Sequence, residues 1–299
     1  MGSADAHFYA LDAKTGKVKW IYETGGTIFS SPAVVDGVVY VGSYDGKLYA
    51  LDAIKGSVVW SFVTTDGTEV RSSPAVANGI VYVGSHDNNF YAVEAKTGKL
   101  VWKFETGSLV SSSPAVVNGL VYFGSWDSVV YALDARSGNE VWRYDTGDAV
   151  FSSPAVVGGV VYIGSDDNKV YALNASNGDF MWEYETGDDV RSSPAVVNDV
   201  VYIGSYDKKF YALNARTGER IWDYETGHWI RSQPAVANGI VYFGSFDDVF
   251  YGLDAKTGEL LWSYKARSAV SSGPVVANGM VYMTSWDGSA YAFGSPPEK

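Results

Sequence analysis

Two variable positions, each recurring along the chain, hold most of the side chains that could bind a ligand. The first position directly precedes an S-x-P triplet and contains Phe29, Arg71, Ser111, Phe151, Arg191, Arg231 and Ser271. The second is the third residue of a G-S-x-D segment and contains Tyr44, His86, Trp126, Asp166, Tyr206 and Phe246, with Trp286 in the related segment T-S-W-D. Trp229 adds one more ring in the segment G-H-W-I-R.

Arginine and aromatic side chains in one place favour a binding site. Guanidinium groups pair with carboxylates, and aromatic faces stack on planar groups, so the set suits a protein or a small planar or anionic ligand. The alternative interpretation is that surface loops vary freely and that the arginines offset an acidic chain. We predict a ligand or partner site formed by Phe29, Arg71, Phe151, Arg191, Arg231, Tyr44, His86, Trp126, Tyr206, Trp229, Phe246 and Trp286.

Residues that recur in every copy are predicted to be structural rather than catalytic. Aspartate at a turn bonds to its own backbone, and this role is expected for Asp45, Asp87, Asp127, Asp167, Asp207, Asp247 and Asp287. The paired serines that precede the proline in the first five repeats have the same status. His7, His86 and His228 lie in different copies without metal-ligand spacing. We therefore predict no catalytic residue and no metal ligand.

These positions are carried by a repeat of about forty residues. Its tryptophans are spaced by 40 residues, with one gap of 42, at Trp20, Trp60, Trp102, Trp142, Trp182, Trp222 and Trp262. Each copy contains four short runs rich in Val, Tyr, Phe and Trp, bounded by Gly, Asn, Asp and Ser, which is typical of strands joined by hairpins. No stretch keeps a period of 3.6 residues. The chain is predicted to be all-β.

Seven four-stranded units predict one β-propeller domain over residues 1–299, with blades around a central channel. The loops from fourth to first strand and from second to third strand then share one face, which places the variable positions at the channel mouth. The "YA" strand occurs eight times, counting Tyr9 and Tyr291. We predict seven antiparallel blades closed by an N-terminal strand that joins the last blade, with one end copy displaced or frayed. Eight blades are the alternative. A monomer is expected, and overlapping ends would allow a strand-exchanged oligomer.

Composition excludes several classes of partner and site. The net charge of −12 repels nucleic acid and anionic lipid surfaces, and no apolar run is long enough to span a bilayer. The chain has no cysteine, which removes disulfides, Cys-ligated zinc and c-type haem attachment. Met1-Gly2-Ser3 does not read as a secretory signal. We expect neither nucleic-acid binding nor membrane insertion.

The spacing A-x5-G-x3-W recurs from Ala10-Gly16-Trp20 through Ala212-Gly218-Trp222, and a seventh copy has Gly252 in place of the alanine. It resembles the tryptophan-docking motif of PQQ-like (pyrroloquinoline-quinone repeat) β-propellers. That family includes quinoprotein alcohol dehydrogenases and the propeller lipoprotein of the outer-membrane β-barrel assembly machinery. The resemblance covers nearly the whole chain. It implies that each indole docks between adjacent blades, and that the protein is prokaryotic and periplasmic or extracellular.

The sequence is compatible with three functions. The first is a non-enzymatic scaffold that binds a protein through its loop face and channel mouth and needs no cofactor. The second is a quinoprotein dehydrogenase that oxidises an alcohol or sugar with PQQ and calcium. Against it, the sequence lacks adjacent cysteines, a haem site and long insertions between repeats. The third is a designed or recently amplified repeat propeller with no selected ligand.

Overall fold

The computed structural model describes residues 1–294, and in this range the chain is all-β, built from short antiparallel strands. The end of the predicted domain, 295–299, lies outside the described residues. No helix within residues 1–294 is long and apolar enough to cross a bilayer. The chain divides into two compact units, Met1–Val150 and Phe151–Lys299, which are described in turn.

The first unit contains a two-stranded sheet followed by three four-stranded sheets, each an antiparallel meander in chain order. The two-stranded sheet is β1 (His7–Leu11) and β2 (Val18–Glu23). The three complete sheets are β3 (Ala33–Val35), β4 (Val38–Gly42), β5 (Lys47–Asp52) and β6 (Val58–Val63); β7 (Ala75–Ala77), β8 (Ile80–Gly84), β9 (Asn89–Glu94) and β10 (Leu100–Glu105); and β11 (Ala115–Val117), β12 (Leu120–Gly124), β13 (Val129–Asp134) and β14 (Glu140–Asp145).

The second unit contains three four-stranded sheets followed by a three-stranded one. The complete sheets are β15 (Ala155–Val157), β16 (Val160–Gly164), β17 (Lys169–Asn174) and β18 (Phe180–Glu185); β19 (Ala195–Val197), β20 (Val200–Gly204), β21 (Lys209–Asn214) and β22 (Arg220–Glu225); and β23 (Ala235–Ala237), β24 (Ile240–Gly244), β25 (Val249–Asp254) and β26 (Leu260–Lys265). The last sheet is β27 (Val275–Ala277), β28 (Met280–Thr284) and β29 (Ala290–Gly294).

The eight sheets confirm the predicted class and fit a count of seven or eight blades. Both end copies of the "YA" strand are paired. Tyr9 lies in β1 opposite Ile21 of β2, and Tyr291 lies in β29 opposite Met283 of β28. Of the two expected outcomes, displaced or frayed, fraying is wrong for both end copies, because each pairs with a complementary strand next to it in the sequence. Among the described strands, β1 and β2 form a sheet of their own and the last sheet has three strands.

Burial follows strand position within each sheet. In the four-stranded sheets, the second and third strands are buried on both faces, as in β8, where Val81, Tyr82 and Val83 are almost fully inaccessible. In the last sheet, β29 is partly exposed along its length. Along the fourth strand, buried and exposed side chains alternate. In β18, for example, Trp182 is buried while its neighbours Met181 and Glu183 are exposed. The exposed side chains of this strand are both apolar and charged, and charges such as Glu183 on an outer strand limit edge-to-edge aggregation. The core is thus a series of sheet-to-sheet interfaces.

Tryptophans clasp neighbouring sheets together within each unit. The Trp60 Nε1–H donates to the Ala95 carbonyl of the next sheet (2.9 Å), and a Cβ placed on Gly98 would lie 2.7 Å from the indole. Gly98 also has a positive φ of 73°. Only glycine satisfies both conditions at low cost. The implication that the indole docks between adjacent blades is confirmed, and the same pair recurs for Trp20 with Gly56, Trp102 with Gly138, Trp182 with Gly218, and Trp222 with Gly258.

The copy with Gly252 differs. A Cβ at Gly252 would lie 2.3 Å from the Trp262 indole nitrogen, whereas Ala50 and Trp60 coexist opposite each other in an earlier sheet. The Trp262 ring instead packs 5.3 Å from Phe293 in the last sheet. Gly252 therefore makes room for the Trp262 indole. This indole packs on the Phe293 ring, whereas tryptophans such as Trp60 pack on a glycine of the next sheet.

Candidate functional site

The two variable positions lie on the same side of each sheet because their loops are hydrogen-bonded together. The second-to-third-strand turn donates a backbone N–H to the loop before the first strand of the same sheet. Examples are His86 N–H to the Glu69 carbonyl (3.0 Å) and Tyr206 N–H to the Asp189 carbonyl (2.9 Å). Side chains from the two loops are thereby held next to each other on a rigid support.

The turn aspartates are structural, as predicted. Asp207 accepts the backbone N–H of Lys209 at 2.9 Å, the hydroxyl of Tyr211, and the N–H of Gly187 at 2.8 Å. Gly187 follows β18 of the preceding sheet, so the carboxylate also fixes the connection between two sheets. The Asp–Tyr pair recurs in Asp45–Tyr49, Asp87–Tyr91, Asp127–Tyr131, Asp167–Tyr171, Asp247–Tyr251 and Asp287–Tyr291.

These pairs predict alkaline instability. Burial, followed by the hydrogen bond to Asp87, raises the pKa of Tyr91 to about 12, and burial likewise raises the pKa values of Tyr49, Tyr131, Tyr211 and Tyr251. A raised pKa in the folded state contributes stability that is complete below the unfolded tyrosine value near 10 and is lost as the pH rises through the folded value. In urea unfolding, the contribution of these tyrosines to the free energy of unfolding should stay constant up to about pH 10 and should fall steeply above that pH. The Tyr91→Phe variant should decline less steeply, and equal slopes would contradict this origin.

In the first unit, five predicted residues form one cluster. Tyr44 packs on Phe29 with ring centroids 5.1 Å apart, and the Arg71 guanidinium lies 5.9 Å from the Phe29 ring. His86 lies between Tyr44 and Trp126, at 6.5 and 5.9 Å. The structure thus brings these five residues together, and their role in binding stays a prediction.

His86 also contacts two residues that the hypothesis did not include. Its Nδ1 lies 2.9 Å from Glu69 Oε2, and its Nε2 lies 2.8 Å from Ser111 Oγ. Burial lowers the pKa of His86 below the ordinary histidine value of 6.5, although Glu69 acts in the opposite direction. Ser111 was visible as a variable position, whereas nothing in the sequence singled out Glu69.

In the second unit, four predicted aromatics form a continuous surface that we call the aromatic row (Tyr206, Trp229, Phe246 and Trp286). Tyr206 and Trp229 stack almost in parallel, with centroids 4.8 Å apart and a 5° angle between planes. Phe246 lies 6.3 Å from Trp229 and 5.7 Å from Trp286. The Trp229 residue is 41% exposed and Trp286 is 61% exposed. The row is therefore both ordered and open to a partner.

Arg191 closes one end of the row. Its guanidinium stacks over Phe151 at 4.3 Å and over Tyr206 at 5.2 Å. It also pairs with Asp166 at 2.8 Å and Asp189 at 3.0 Å. Two carboxylates neutralise this arginine, so an anionic ligand would have to displace them. Arg231, at the equivalent position before β23, is half-buried.

The turn carboxylates of the described residues are not arranged as a calcium site. Calcium requires six to eight oxygen ligands, several of them carboxylates. Within residues 1–294, no group of three or more His, Asp or Glu side chains is arranged to hold a metal ion. The turn aspartates are each engaged by a tyrosine and backbone N–H groups.

A cavity of about 280 Å³ lies at the other ends of the strands, between the turns at Gly158, Asn198 and Arg216, and contains none of the predicted site residues.

Comparison with solved structures shows the fold. BamB from Moraxella catarrhalis has a TM-score of 0.83 at 22% identity, covering 98% of this chain and 92% of that chain. The computationally designed Ika8 protein has a TM-score of 0.88 at 19% identity, with coverages of 98% and 92%. A europium-containing methanol dehydrogenase has a TM-score of 0.79 at 16% identity, with coverages of 98% and 79%. These likenesses show a β-propeller.

Sequence comparison gives the family. A search of curated proteins finds no match to this chain. The family model described as outer membrane protein assembly factor BamB matches residues 1–75, 64–209 and 211–295. Because these segments cover nearly the whole sequence and the tryptophan clasps agree with the motif, the chain belongs to this family of PQQ-like β-propellers.

Proposed function

We propose that the chain is a protein-interaction scaffold that binds a partner protein on the aromatic row, rather than a quinoprotein dehydrogenase. The observation that carries the proposal is the row itself, in which four rings from neighbouring loops are held in mutual contact while Trp229 and Trp286 stay exposed. The family supports the same function, since its description names an outer membrane assembly factor.

Exposed aromatic rings are costly to leave in water and favourable to cover. Tryptophan and tyrosine are enriched among the residues that dominate protein interfaces, because they supply large apolar area with little loss of side-chain entropy. The parallel stack of Tyr206 on Trp229 holds both rings in place before a partner arrives. Such pre-organisation lowers the entropic cost of association.

The negative charge of the chain indicates which side chains the partner segment would carry. The chain carries a net charge of −12, and beside the row two carboxylates, Asp166 and Asp189, face the single Arg191 guanidinium, which leaves an excess of one negative charge. A partner segment with apolar side chains next to Lys or Arg would pair with this acidic surface. An arginine of that segment would also stack its guanidinium on the rings of the row, as Arg191 stacks on Phe151. A small anion is disfavoured because Arg191 is already paired.

Selection from a displayed random peptide library tests the proposal. Peptides that bind the wild-type protein should contain Lys or Arg next to apolar residues, and Tyr206→Ala and Trp229→Ala should each weaken their binding by about thirtyfold. Ile54→Ala is the control, because Ile54 is 85% exposed, lies in the β5–β6 turn of the first unit and is not a residue of the row. Affinity unchanged in both row variants would exclude this surface.

The likeness to a methanol dehydrogenase makes quinoprotein chemistry the second candidate. Incubation with PQQ and Ca²⁺ should leave no chromophore on the desalted protein and no dye-linked oxidation of alcohols. Retention of both would favour the enzyme. The likeness to designed Ika8 keeps a third candidate, a propeller with no selected ligand, and a library that yields no binding peptide would favour it.

A further inference from the structure

Glu69, His86 and Ser111 form a linear hydrogen-bonded chain on the loop face of the first unit. The carboxylate lies 2.9 Å from Nδ1 of the imidazole, and the serine hydroxyl lies 2.8 Å from Nε2. The three residues come from three separate loops. Glu69 and Ser111 lie in the loops before β7 and β11, and His86 lies in the turn between β8 and β9.

The order of the three groups fixes their proton positions. An ionised carboxylate only accepts hydrogen bonds, so Nδ1 carries the hydrogen and Nε2 presents its lone pair. The Ser111 hydroxyl then donates to Nε2. A nucleophile within hydrogen-bond reach of a base, with the base oriented by a third group, is the arrangement that activates serine in acyl transfer.

The charges facing the imidazole are compatible with a neutral base at pH 7. Glu69 and Asp87 favour its protonation, whereas Arg71 and burial oppose it, and burial is the largest of these influences. The pKa of His86 is consequently lower than usual. A base with a pKa somewhat below the working pH is unprotonated and able to take a proton.

The imidazole partner of Ser111 lies between aromatic side chains, and the serine is partly open to solvent. Tyr44 and Trp126 flank the imidazole with ring centroids 6.5 and 5.9 Å away, and Ser111 is half-buried rather than sealed. The equivalent serine of the last sheet, Ser271, instead accepts a hydrogen bond from Trp286 Nε1 at 2.8 Å. An indole N–H cannot accept a proton, so Ser271 has the same position without the base.

We propose that Ser111 is an activated nucleophile that accepts an acyl group from an activated ester, with His86 as its general base and Glu69 as a positioning residue. Ser111 Oγ forms a bond to the ester carbonyl carbon while its proton moves to His86 Nε2. The bond from that carbon to the leaving oxygen breaks, and its electron pair departs with the phenolate. The proton on His86 then passes to the phenolate or to water. This activity is separate from the scaffold function and does not depend on it.

Acetylation by p-nitrophenyl acetate tests the proposal. The full chain should release nitrophenolate in a burst, and peptide mass spectrometry should place the acetyl group on Ser111. Ser111→Ala, which removes one hydroxyl, should abolish that label, and His86→Ala should slow labelling by about a hundredfold. Ser271→Ala is the matched control and should change neither result.

The pH dependence separates a positioning role for Glu69 from a merely structural one. In the wild type, the labelling rate should rise with pH through a midpoint below the ordinary histidine pKa. Glu69→Gln should label more slowly, with the midpoint moved to lower pH because a favourable carboxylate charge is lost. Label on lysine or histidine instead of Ser111, or unchanged Ser111 labelling in His86→Ala, would overturn the proposal.

Discussion

Replacing Trp182 by alanine is expected to lower the free energy of unfolding by about 3–5 kcal/mol. Trp182 is 7% exposed, packs over Gly218 of the next sheet, and donates its Nε1–H to the Ala215 carbonyl at 3.0 Å. Truncation removes a large apolar surface, leaves a cavity between two sheets and deprives Ala215 of one donor. Urea unfolding at pH 7, extrapolated to zero denaturant, measures the loss.

The Trp182→Phe variant separates the contribution of ring packing to the free energy of unfolding from that of the hydrogen bond to Ala215. It retains an aromatic ring against Gly218 but loses the hydrogen bond, so we expect a loss of only about 1–2 kcal/mol. The Ala215 carbonyl keeps its second donor, the Tyr162 hydroxyl at 3.0 Å. If Trp182→Phe and Trp182→Ala were equally destabilised, ring packing would not be the source of the clasp.

Replacing Asp207 by alanine is expected to cost about 3 kcal/mol, the second-largest effect. The side chain serves three donors, namely the Tyr211 hydroxyl and the N–H groups of Lys209 and Gly187. Tyr211 is buried, so its hydroxyl would lose its partner away from water, which costs about 1–3 kcal/mol for each such group.

The Tyr211→Phe variant is the matched test for this second effect. It removes the buried donor together with its need for a partner, and Asp207 keeps both N–H groups. Its unfolding free energy should fall by only about 1 kcal/mol in the same urea experiment. A loss as large as that of Asp207→Ala would show that the backbone bonds contribute nothing measurable.

Residues that recur in every repeat were predictable because their partners recur with them. The A-x5-G-x3-W spacing gave the place of each indole, and the structure adds its acceptor, the alanine carbonyl three residues before the docking glycine, as in Ala95 and Gly98. The turn role of Asp207 was likewise readable, since aspartate in a tight turn bonds to nearby N–H groups. The local pattern of a single repeat was therefore sufficient to predict the structural roles of these tryptophans and aspartates.

Residues that occur once were only partly predictable, because their partners come from other loops. Arg191 was recognised as a candidate for anion binding, but its neutralisation by Asp166 and Asp189 depends on contacts across 25 residues of sequence and on a neighbour two residues away. The Glu69–His86–Ser111 chain joins three loops, and a one-dimensional pattern cannot show that they meet. The four residues of the aromatic row were among the twelve predicted site residues, but nothing in the sequence indicated that Tyr206 and Trp229 stack in parallel.

We propose that repeated residues stabilise the fold and that unrepeated loop residues bind the partner. The most direct test measures unfolding free energy and affinity for a selected peptide on the same two variants, Trp182→Ala and Trp229→Ala, under conditions where both are folded. Trp182→Ala should lose several kcal/mol of stability and keep its affinity, whereas Trp229→Ala should keep its stability within about 0.5 kcal/mol and lose about thirtyfold in affinity. The reverse pattern, or both losses in both variants, would contradict the account.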